Sequence, residues 1–169
     1  PVEVVGFKDG LLQSVPLASE HFGEGITVLN GMIFQLTWQS QRGFVYGQSD
    51  FRLQRQFSYS GEGWGLANDG TVIYMSDGTA QIRCWDPFTL REIRRFRVRD
   101  GTRPVDQLNE LEWMNGQLLA NVWGTHRVVR ISPKDGSVTG WVDLKGLLSL
   151  TERLRTDAHI AVEEFRGVR

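Results

Sequence analysis

An all-β fold, a β-propeller built from four-stranded antiparallel blades, is predicted by two features of the sequence. The first is a set of three two-residue turn signals, each flanked by apolar, β-branched or aromatic residues, which is typical of tight β-hairpins: Asn30-Gly31, Asp69-Gly70 and Asn115-Gly116. The second is their spacing, because the turn glycines at 31, 70 and 116 lie 39 and 46 residues apart. A period of roughly 40 residues with four strands in each repeat is that of a propeller blade.

Each turn signal is the centre of a predicted four-stranded unit. The strands before the turns are predicted at residues 25–29, 63–68 and 108–114, and the strands after them at 32–38, 71–77 and 117–123. A third strand follows at 43–47, 81–85 and 127–132, and a fourth, outer strand at 53–59, 91–98 and 138–144. The polar insert 99–107 accounts for the longer second interval. All three turns are expected to be of type I′, the usual turn for such dipeptides.

The two ends of the chain are interpreted in the same register. Residues 3–17 resemble residues 127–144, so the chain is expected to begin on the outer half of a blade. Residues 147–155 predict at most a short connecting helix. Residues 159–168 resemble the first strand or two of another blade. The predicted organisation is a single propeller domain over 1–169, divided into a partial blade 1–19, blades 20–60, 61–100 and 101–146, and the start of a further blade at 157–169.

Composition and charge exclude several classes of protein. With 169 residues, 40% of them hydrophobic, the chain can bury one well-formed core. A formal net charge of -1 provides no general attraction to nucleic acid or anionic lipid, and no apolar stretch approaches the ~20 residues of a membrane-spanning helix. We therefore expect neither nucleic acid nor a membrane as a partner. The single cysteine, Cys84, excludes an internal disulfide and is interpreted as a buried strand residue.

The candidate site follows from the repeat, because the first strand of each propeller blade lines the central channel and equivalent residues converge at one rim. Counting seven residues back from the turn glycines gives Glu24, Gly63 (followed by Trp64) and Asn109, and counting seven forward gives Trp38, Asp77 and Trp123. A carboxylate, an amide and three indoles around one concavity suit a small polar group on an apolar body. Desolvation is expected to raise the pKa of Glu24 toward neutrality, where a carboxyl group transfers protons best. Alternatively, the tryptophans only wedge between blades.

Other kinds of site are poorly supported by the sequence. It contains no H-E-x-x-H, C-x-x-C, P-loop or G-x-S-x-G motif, and its three histidines lack ligand-like spacing. Four aspartates could contribute oxygen ligands to calcium, but they form no contiguous binding loop and are favoured as turn residues: Asp69, Asp77, Asp100 and Asp106.

Six short motifs lie in order around the candidate residues: FGEGIT at 22–27, LTW at 36–38, GWGL at 63–66, SDG at 76–78, LNELE at 108–112 and ANVW at 120–123. Together they resemble the signature segments of the plant-type glutaminyl cyclases (glutamine cyclotransferases), over roughly residues 6–161. The resemblance implies a five-bladed propeller. The opening Phe-Thr-Gln-Gly-Leu strand of that family and its closing Thr-Gly-Lys-x-Trp segment have no counterpart here, so we expect this chain to cover about four blades.

The resemblance implies an acyltransferase reaction, in which the free α-amine of an N-terminal glutamine attacks its own side-chain amide, forms pyroglutamate and releases ammonia. It implies that Glu24 transfers protons and that Asn109 binds the substrate or the developing negative charge. The substrate pocket is expected to contain four aromatic residues: Phe22, Trp38, Trp64 and Trp123. No cofactor is expected for catalysis, no metal-binding residue is assigned, and any bound calcium is expected to be structural.

The same resemblance sets expectations about partners and location. The expected partners are peptides or proteins with an N-terminal glutamine, and a complete ring is expected to be a monomer. The expected location is secreted or periplasmic, although these residues contain no signal peptide.

Two other functions stay open at this stage. One is a non-catalytic or truncated propeller that binds peptide N-termini or another small ligand, because the fold alone does not specify catalysis. Glu24 discriminates between this binder and the enzyme, since proton transfer needs a raised pKa of the Glu24 carboxyl group and binding of a cationic amine does not. The other is a calcium-dependent lactonase or related hydrolase. It would need several Asp, Asn and Glu side chains on one metal, whereas the equivalent positions here are mainly Trp and Gly.

Overall fold

Antiparallel β-sheet accounts for the regular structure in this computed structural model, which describes residues 2–6 and 10–146. A two-stranded hairpin of β1 (Val2–Gly6) and β2 (Gly10–Val15) precedes the first complete sheet, which contains β3 (Gly23–Leu29), β4 (Met32–Thr37), β5 (Arg42–Gly47) and β6 (Leu53–Ser58). The second sheet contains β7 (Leu66–Asn68), β8 (Ile73–Ser76), β9 (Gln81–Trp85) and β10 (Glu92–Arg97). The insert forms β11 (Arg99–Asp100) and β12 (Arg103–Pro104), and the third sheet contains β13 (Leu108–Met114), β14 (Gln117–Val122), β15 (Arg127–Ile131) and β16 (Val138–Asp143).

The three complete sheets are arranged as consecutive propeller blades. Within each sheet the strands are paired in chain order, and the first strand of the second sheet, β7, contacts both β3 and β13. First strands that meet in this way line a common axis, so the predicted fold class is confirmed. The predicted helix at 147–155, the strand at 159–168 and the start of a further blade at 157–169 lie outside the described residues. The described part of the chain has no helix long and apolar enough to cross a membrane.

Buried apolar clusters join neighbouring blades. Leu36 of the first sheet packs in one cluster with Met75 of the second, and both side chains are fully buried. Cys84 and Leu118 belong to the next cluster, between the second and third sheets. The buried position predicted for Cys84 is confirmed, and desolvation raises the pKa of its thiol to about 11. The cysteine is therefore a core residue with no thiolate available near neutral pH.

Two of the three predicted turns have the expected type I′ geometry. Asn30 and Gly31 have φ of 52° and 74°, and Asn115 and Gly116 have φ of 50° and 78°. Positive φ at both central residues is the mark of this turn, which matches the twist of the two strands that it joins.

The third turn differs from the prediction. The backbone N–H of Asp69 donates to the carbonyl oxygen of Val72 (3.2 Å), so the central residues are Gly70 and Thr71. Only Gly70 has a positive φ, 93°, as a type II′ turn requires at its first central position. The Asp69 carboxylate stabilises this arrangement, since its Oδ1 accepts hydrogen bonds from the backbone N–H groups of Thr71 and Val72, both 2.8 Å. The type I′ prediction for Asp69-Gly70 was therefore wrong, and the turn is displaced by one residue.

Candidate active site

Glu24 and Asn109 lie at equivalent places in the first strands of the first and third sheets, and each sits in a β-bulge. The register of β3 shifts between Gly23 and Ile26, on either side of Glu24. The register of β13 shifts in the same way around Asn109. A bulge bends the strand and re-aims its side chains, and bulges are frequent next to active sites. The counting argument therefore identified two equivalent positions correctly.

In the second sheet, Trp64 is equivalent to Glu24 and Gly78 is equivalent to Trp38. Each lies one residue after the position found by counting seven residues from the turn glycine. The predicted residues, Gly63 and Asp77, are wrong because the turn of this sheet is displaced by one residue. The Asp77 carboxylate is used within its own turn instead, where Oδ1 accepts hydrogen bonds from the backbone N–H and the hydroxyl of Thr79.

Gly78 makes room for the indole of Trp64. The carbonyl oxygen of Gly78 accepts a hydrogen bond from the N–H of Gln107 (2.8 Å), just as that of Trp38 accepts one from the N–H of Gly63 (2.9 Å). Gly78 thus stands where the first sheet has a tryptophan. A Cβ atom on Gly78 would lie 2.6 to 2.9 Å from ring atoms of Trp64. The second blade therefore supplies its indole from the first strand instead of the second.

Hydrogen bonds join the first strands of the three sheets beneath the site. The N–H of Gly25 donates to the carbonyl oxygen of Trp64 (2.7 Å). The buried hydroxyl of Ser76 accepts from the N–H of Gly65 (2.8 Å) and donates to the carbonyl oxygen of Asn109 (2.6 Å). The backbone that carries the candidate side chains is therefore held at each blade boundary, which limits the movement of those side chains.

The four predicted aromatic residues form two edge-to-face pairs. The rings of Phe22 and Trp38 have centroids 6.2 Å apart, and those of Trp64 and Trp123 are 6.4 Å apart. Such T-shaped pairs are a favoured aromatic geometry. The two buried clusters between the blades contain none of these four rings; the tryptophan that packs between the first two sheets is Trp85. Phe22 is 66% exposed at the rim, but the Trp64–Trp123 pair joins the second and third sheets, so the interpretation that the tryptophans wedge between blades stays a hypothesis.

Glu62, which the sequence did not single out, links the two aromatic pairs. Its Oε2 accepts hydrogen bonds from Nε1 of Trp38 and Nε1 of Trp64, both 2.8 Å, and its Oε1 accepts one from Nε2 of Gln39 (3.2 Å). The bonds from the two indoles, that of Trp64 first, lower the pKa of Glu62 below its usual value. Glu62 therefore remains ionised near neutral pH.

Glu24 has the raised pKa that the sequence led us to expect. Desolvation is the largest cause, followed by the negative charges of Glu110 and then Glu62, and together they raise the pKa of Glu24 to about 7. Two neighbouring carboxyl groups thus differ in protonation, since Glu62 stays ionised while Glu24 exchanges a proton near neutral pH. A separation of this kind is typical of sites in which the group with the raised pKa transfers protons.

Glu110 is the third carboxyl group of the site. It follows Asn109 in the β13 bulge, and its Oε1 accepts hydrogen bonds from the backbone N–H groups of Leu66 (3.2 Å) and Leu111 (3.1 Å). Although part of the side chain remains accessible to solvent, desolvation by the surrounding strands raises the pKa of Glu110. The adjacent side-chain amide of Asn109 makes no hydrogen bond to another described residue, which leaves it available to a ligand.

The described residues do not bring together a metal site. Residues 2–6 and 10–146 contain no group of three or more His, Cys, Asp and Glu side chains that could hold an ion. Three of the aspartates considered for calcium already accept hydrogen bonds: Asp69 and Asp77 within their own turns, and Asp100 from Nε1 of Trp141 at 3.0 Å. The expectations of cofactor-free catalysis and of structural calcium remain predictions.

Known proteins share both the sequence pattern and the fold. Residues 3–162 match the family described as Glutamine cyclotransferase. A glutaminyl-peptide cyclotransferase of Arabidopsis thaliana is 38% identical over 149 residues, which cover 88% of this chain and 46% of that protein. The crystal structure of Myxococcus xanthus glutaminyl cyclase superposes with a TM-score of 0.70 at 32% identity, over 73% of this chain and 53% of that one.

More distant propellers share the fold alone. The structure of U3-55K superposes with a TM-score of 0.54 at 14% identity, over 73% of this chain and 40% of that one. This chain spans about half the length of each of the two cyclotransferases that it matches. Because the family match extends over most of the 169 residues, and the ordered motifs coincide with the rim just described, the chain belongs to the glutamine cyclotransferase family.

Proposed function

We propose that this site converts an N-terminal glutaminyl residue into pyroglutamate and releases ammonia. The observation that carries the proposal is Glu24, whose pKa is raised to about 7 beside an indole-lined rim. A carboxyl group with that pKa exchanges protons with amines near neutral pH, as this reaction requires. The family membership and the names of the two similar cyclotransferases support the same chemistry.

In the proposed reaction Glu24 transfers a proton between two nitrogens of the same substrate. The carboxylate accepts a proton from the substrate α-ammonium group, and the free amine attacks the side-chain amide carbon. A carbon–nitrogen bond forms and the carbonyl oxygen gains negative charge. Glu24 then returns the proton to the amide nitrogen, the bond from the carbonyl carbon to that nitrogen breaks, and ammonia leaves. The ring nitrogen loses its second proton to the departing ammonia, which becomes ammonium. The products are a five-membered lactam and an ammonium ion, and Glu24 ends in its starting state.

The remaining candidate residues orient the substrate. The Asn109 amide can donate a hydrogen bond to the carbonyl oxygen on which charge develops, an interaction that contributes about 3 kcal/mol in favourable sites. The aromatic side chains of Trp38, Trp64 and Trp123 provide apolar walls that hold the flexible glutamine side chain in a curled conformation. Bringing the amine close to the amide carbon before reaction removes much of the entropic barrier to cyclisation.

The proposal extends to partners, metal and location. The partners are peptides or proteins with an N-terminal glutamine, catalysis needs no metal or other cofactor, and the completed ring acts as a monomer outside the cytoplasm. The role proposed for Glu24 supports the choice of partners and the absence of a metal. The α-amine of an N-terminal glutamine is the group that gives Glu24 its proton, and the same carboxyl group supplies both proton transfers.

Ammonia release from the dipeptide Gln-Gln tests the proposed function directly. We expect the purified protein to release one ammonia for each pyroglutamyl product, and to leave N-acetyl-Gln-Gln unchanged because its α-amine is blocked. A chelator is expected to leave the rate unchanged. Binding of Gln-Gln without ammonia release would favour the non-catalytic binder, and loss of activity with the chelator would contradict metal independence.

The pH dependence of the reaction tests the assignment of Glu24 through its neighbour. We expect kcat/KM to fall as the pH drops below about 7, because protonation of Glu24 removes the proton acceptor. Glu110→Gln removes a negative charge that raises the Glu24 pKa, so this acidic limb should move to lower pH.

The control for that experiment is Glu112→Gln, an exposed residue of the same strand that is not among the causes of the Glu24 shift. The substrate α-amine titrates in a nearby range, but neither substitution alters it. A limb that stays in place in Glu110→Gln would show that it reports the substrate amine and not Glu24.

A further inference from the structure

We propose that Glu62 is a positioning residue of the cyclisation site, whose carboxylate fixes the indoles of Trp38 and Trp64 in the orientation that forms the substrate pocket. The structural part of this inference rests on the hydrogen bonds alone. Its kinetic part rests on the proposed function.

The geometry at Glu62 is specific. An indole has a single hydrogen-bond donor, Nε1–H, and two such donors converge on one atom, Oε2, each at 2.8 Å. Bonds to an ionised acceptor are about twice as strong as neutral ones. Because Trp38 contacts Phe22 and Trp64 contacts Trp123 edge to face, fixing two rings also restrains the other two. One carboxylate therefore organises the whole aromatic rim.

Backbone hydrogen bonds hold the two residues after Glu62 to the first and the second sheet. The following N–H groups are both engaged, that of Gly63 with the carbonyl oxygen of Trp38 (2.9 Å) and that of Trp64 with the carbonyl oxygen of Ser76 (3.1 Å). Gly63 is packed so closely that a Cβ atom would come within 3.0 Å of the first sheet. The Glu62 carboxylate is thus presented from rigid backbone, as preorganisation of a site requires.

The charge of Glu62 has a second effect on the site. Its negative charge is one of the causes that raise the pKa of Glu24, together with desolvation and the charge of Glu110. Desolvation raises the pKa of the nearby Tyr59 phenol, with a smaller contribution from the charge of Glu24, so this group stays neutral. Removing the Glu62 charge should therefore move the acidic limb of the reaction to lower pH. Because hydration of Glu24 would move the limb in the same direction, a variant that loosens the rim but keeps the charge, Glu62→Asp, is needed to separate the two causes.

Indole resonances test the structural part without any assay of activity. The protein has six tryptophans, so ¹⁵N–¹H spectra contain up to six indole signals from this chain, two of which are assigned with Trp38→Phe and Trp64→Phe. Both assigned signals should move upfield in Glu62→Gln, because a neutral acceptor replaces a charged one. Neither should move in Glu20→Gln, which changes an exposed glutamate near the same rim, 78% exposed. Unchanged indole signals in Glu62→Gln would overturn the proposal.

Steady-state kinetics test the functional part with three variants. Glu62→Gln should raise KM about tenfold and move the acidic limb to lower pH. Glu62→Asp keeps the charge but shortens the reach to the indoles, so it should raise KM while the limb stays in place. Glu20→Gln should resemble the parent protein in both respects. If Glu62→Gln lowers only the amount of folded protein, with an unchanged KM and limb, the residue has a merely structural role.

The two experiments separate the inference from the function on which it rests. A parent protein that releases no ammonia would contradict the proposed function, while the indole spectra would still decide whether Glu62 binds both tryptophans. An active parent protein with unmoved indole signals would contradict only the role of Glu62.

Discussion

Replacement of Glu24 by glutamine is expected to lower kcat for cyclisation of Gln-Gln about 10³-fold, within the range that proton-transfer catalysis contributes. Glutamine has nearly the same shape but can neither accept nor return a proton at these pH values. The aromatic rim is untouched, so KM should change only a few-fold. Ammonia release at pH 8, compared with the parent protein and with Glu20→Gln, measures the effect. A loss below tenfold would remove Glu24 from the proton-transfer role.

The same substitution should stabilise the fold at and above neutral pH. In the folded protein the Glu24 pKa is raised from 4.5 to about 7, so the folded state binds more protons than the unfolded state between these values. Stability therefore falls as the pH rises through this window, and the full cost remains above it. Glu24→Gln removes that cost, roughly 1–3 kcal/mol after allowance for solvent screening in a partly exposed site.

Urea unfolding at pH 8 and pH 4 checks this sign. Glu24→Gln should be more stable than the parent protein at pH 8 and about equal to it at pH 4. Residues that are needed for activity often lower the stability of the fold, here through the ionised form of Glu24. A variant that is less stable at pH 8 would mean that the Glu24 charge is favourably solvated in the folded protein.

The repeat was predictable because its signals are local. Type I′ turns need residues that tolerate positive φ, and Asn30-Gly31 and Asn115-Gly116 provide them. Once those turns are placed, the turn type and the two-residue loop length fix the register of each hairpin. The equivalent positions of Glu24 and Asn109 then follow by counting, whereas the bulges that contain them were not predicted.

The second blade was harder to predict because its turn is decided by one side chain. Asp69 binds the N–H groups of Thr71 and Val72 and so displaces the turn by one residue. A dipeptide signal contains no information about which of two adjacent turns the aspartate will stabilise. The error is small in sequence, but it exchanges Gly63 and Asp77 for Trp64 and Gly78 at the rim.

Glu62 could not be found from the sequence for a related reason. Its role depends on two indoles that lie in different sheets, at 38 and 64, and that turn their Nε1–H groups toward one loop. No spacing within the chain encodes that convergence. A carboxylate in a short glycine-rich bend is usually a solvated surface residue, and only the folded arrangement distinguishes this one.

Gly65→Ala is expected to destabilise the protein by at least about 3 kcal/mol, at the upper end of the cost of overpacking. Its Cβ atom would overlap the carbonyl oxygen of Asn109 and lie 2.7 Å from Cα of Glu110 and 2.8 Å from the nitrogen of Leu111. All three atoms are backbone, so no side chain can rotate away. Relief would require β13 to move outward and carry the Asn109 bulge with it. Chemical denaturation measures the loss of stability, and kcat of the remaining folded protein should fall as well.

Gly140→Ala is the matched control for this steric argument. Gly140 lies in β16 without a positive φ, and an added Cβ would come no closer than 3.7 Å to its nearest neighbour, the flexible Arg130 side chain. The alanine there should be neutral or slightly stabilising, because it restricts the unfolded chain. If Gly65→Ala were as stable as Gly140→Ala, the first strands would be free to separate. The close approach of the blades could then not be what holds Trp64 and Asn109 in place around Glu24.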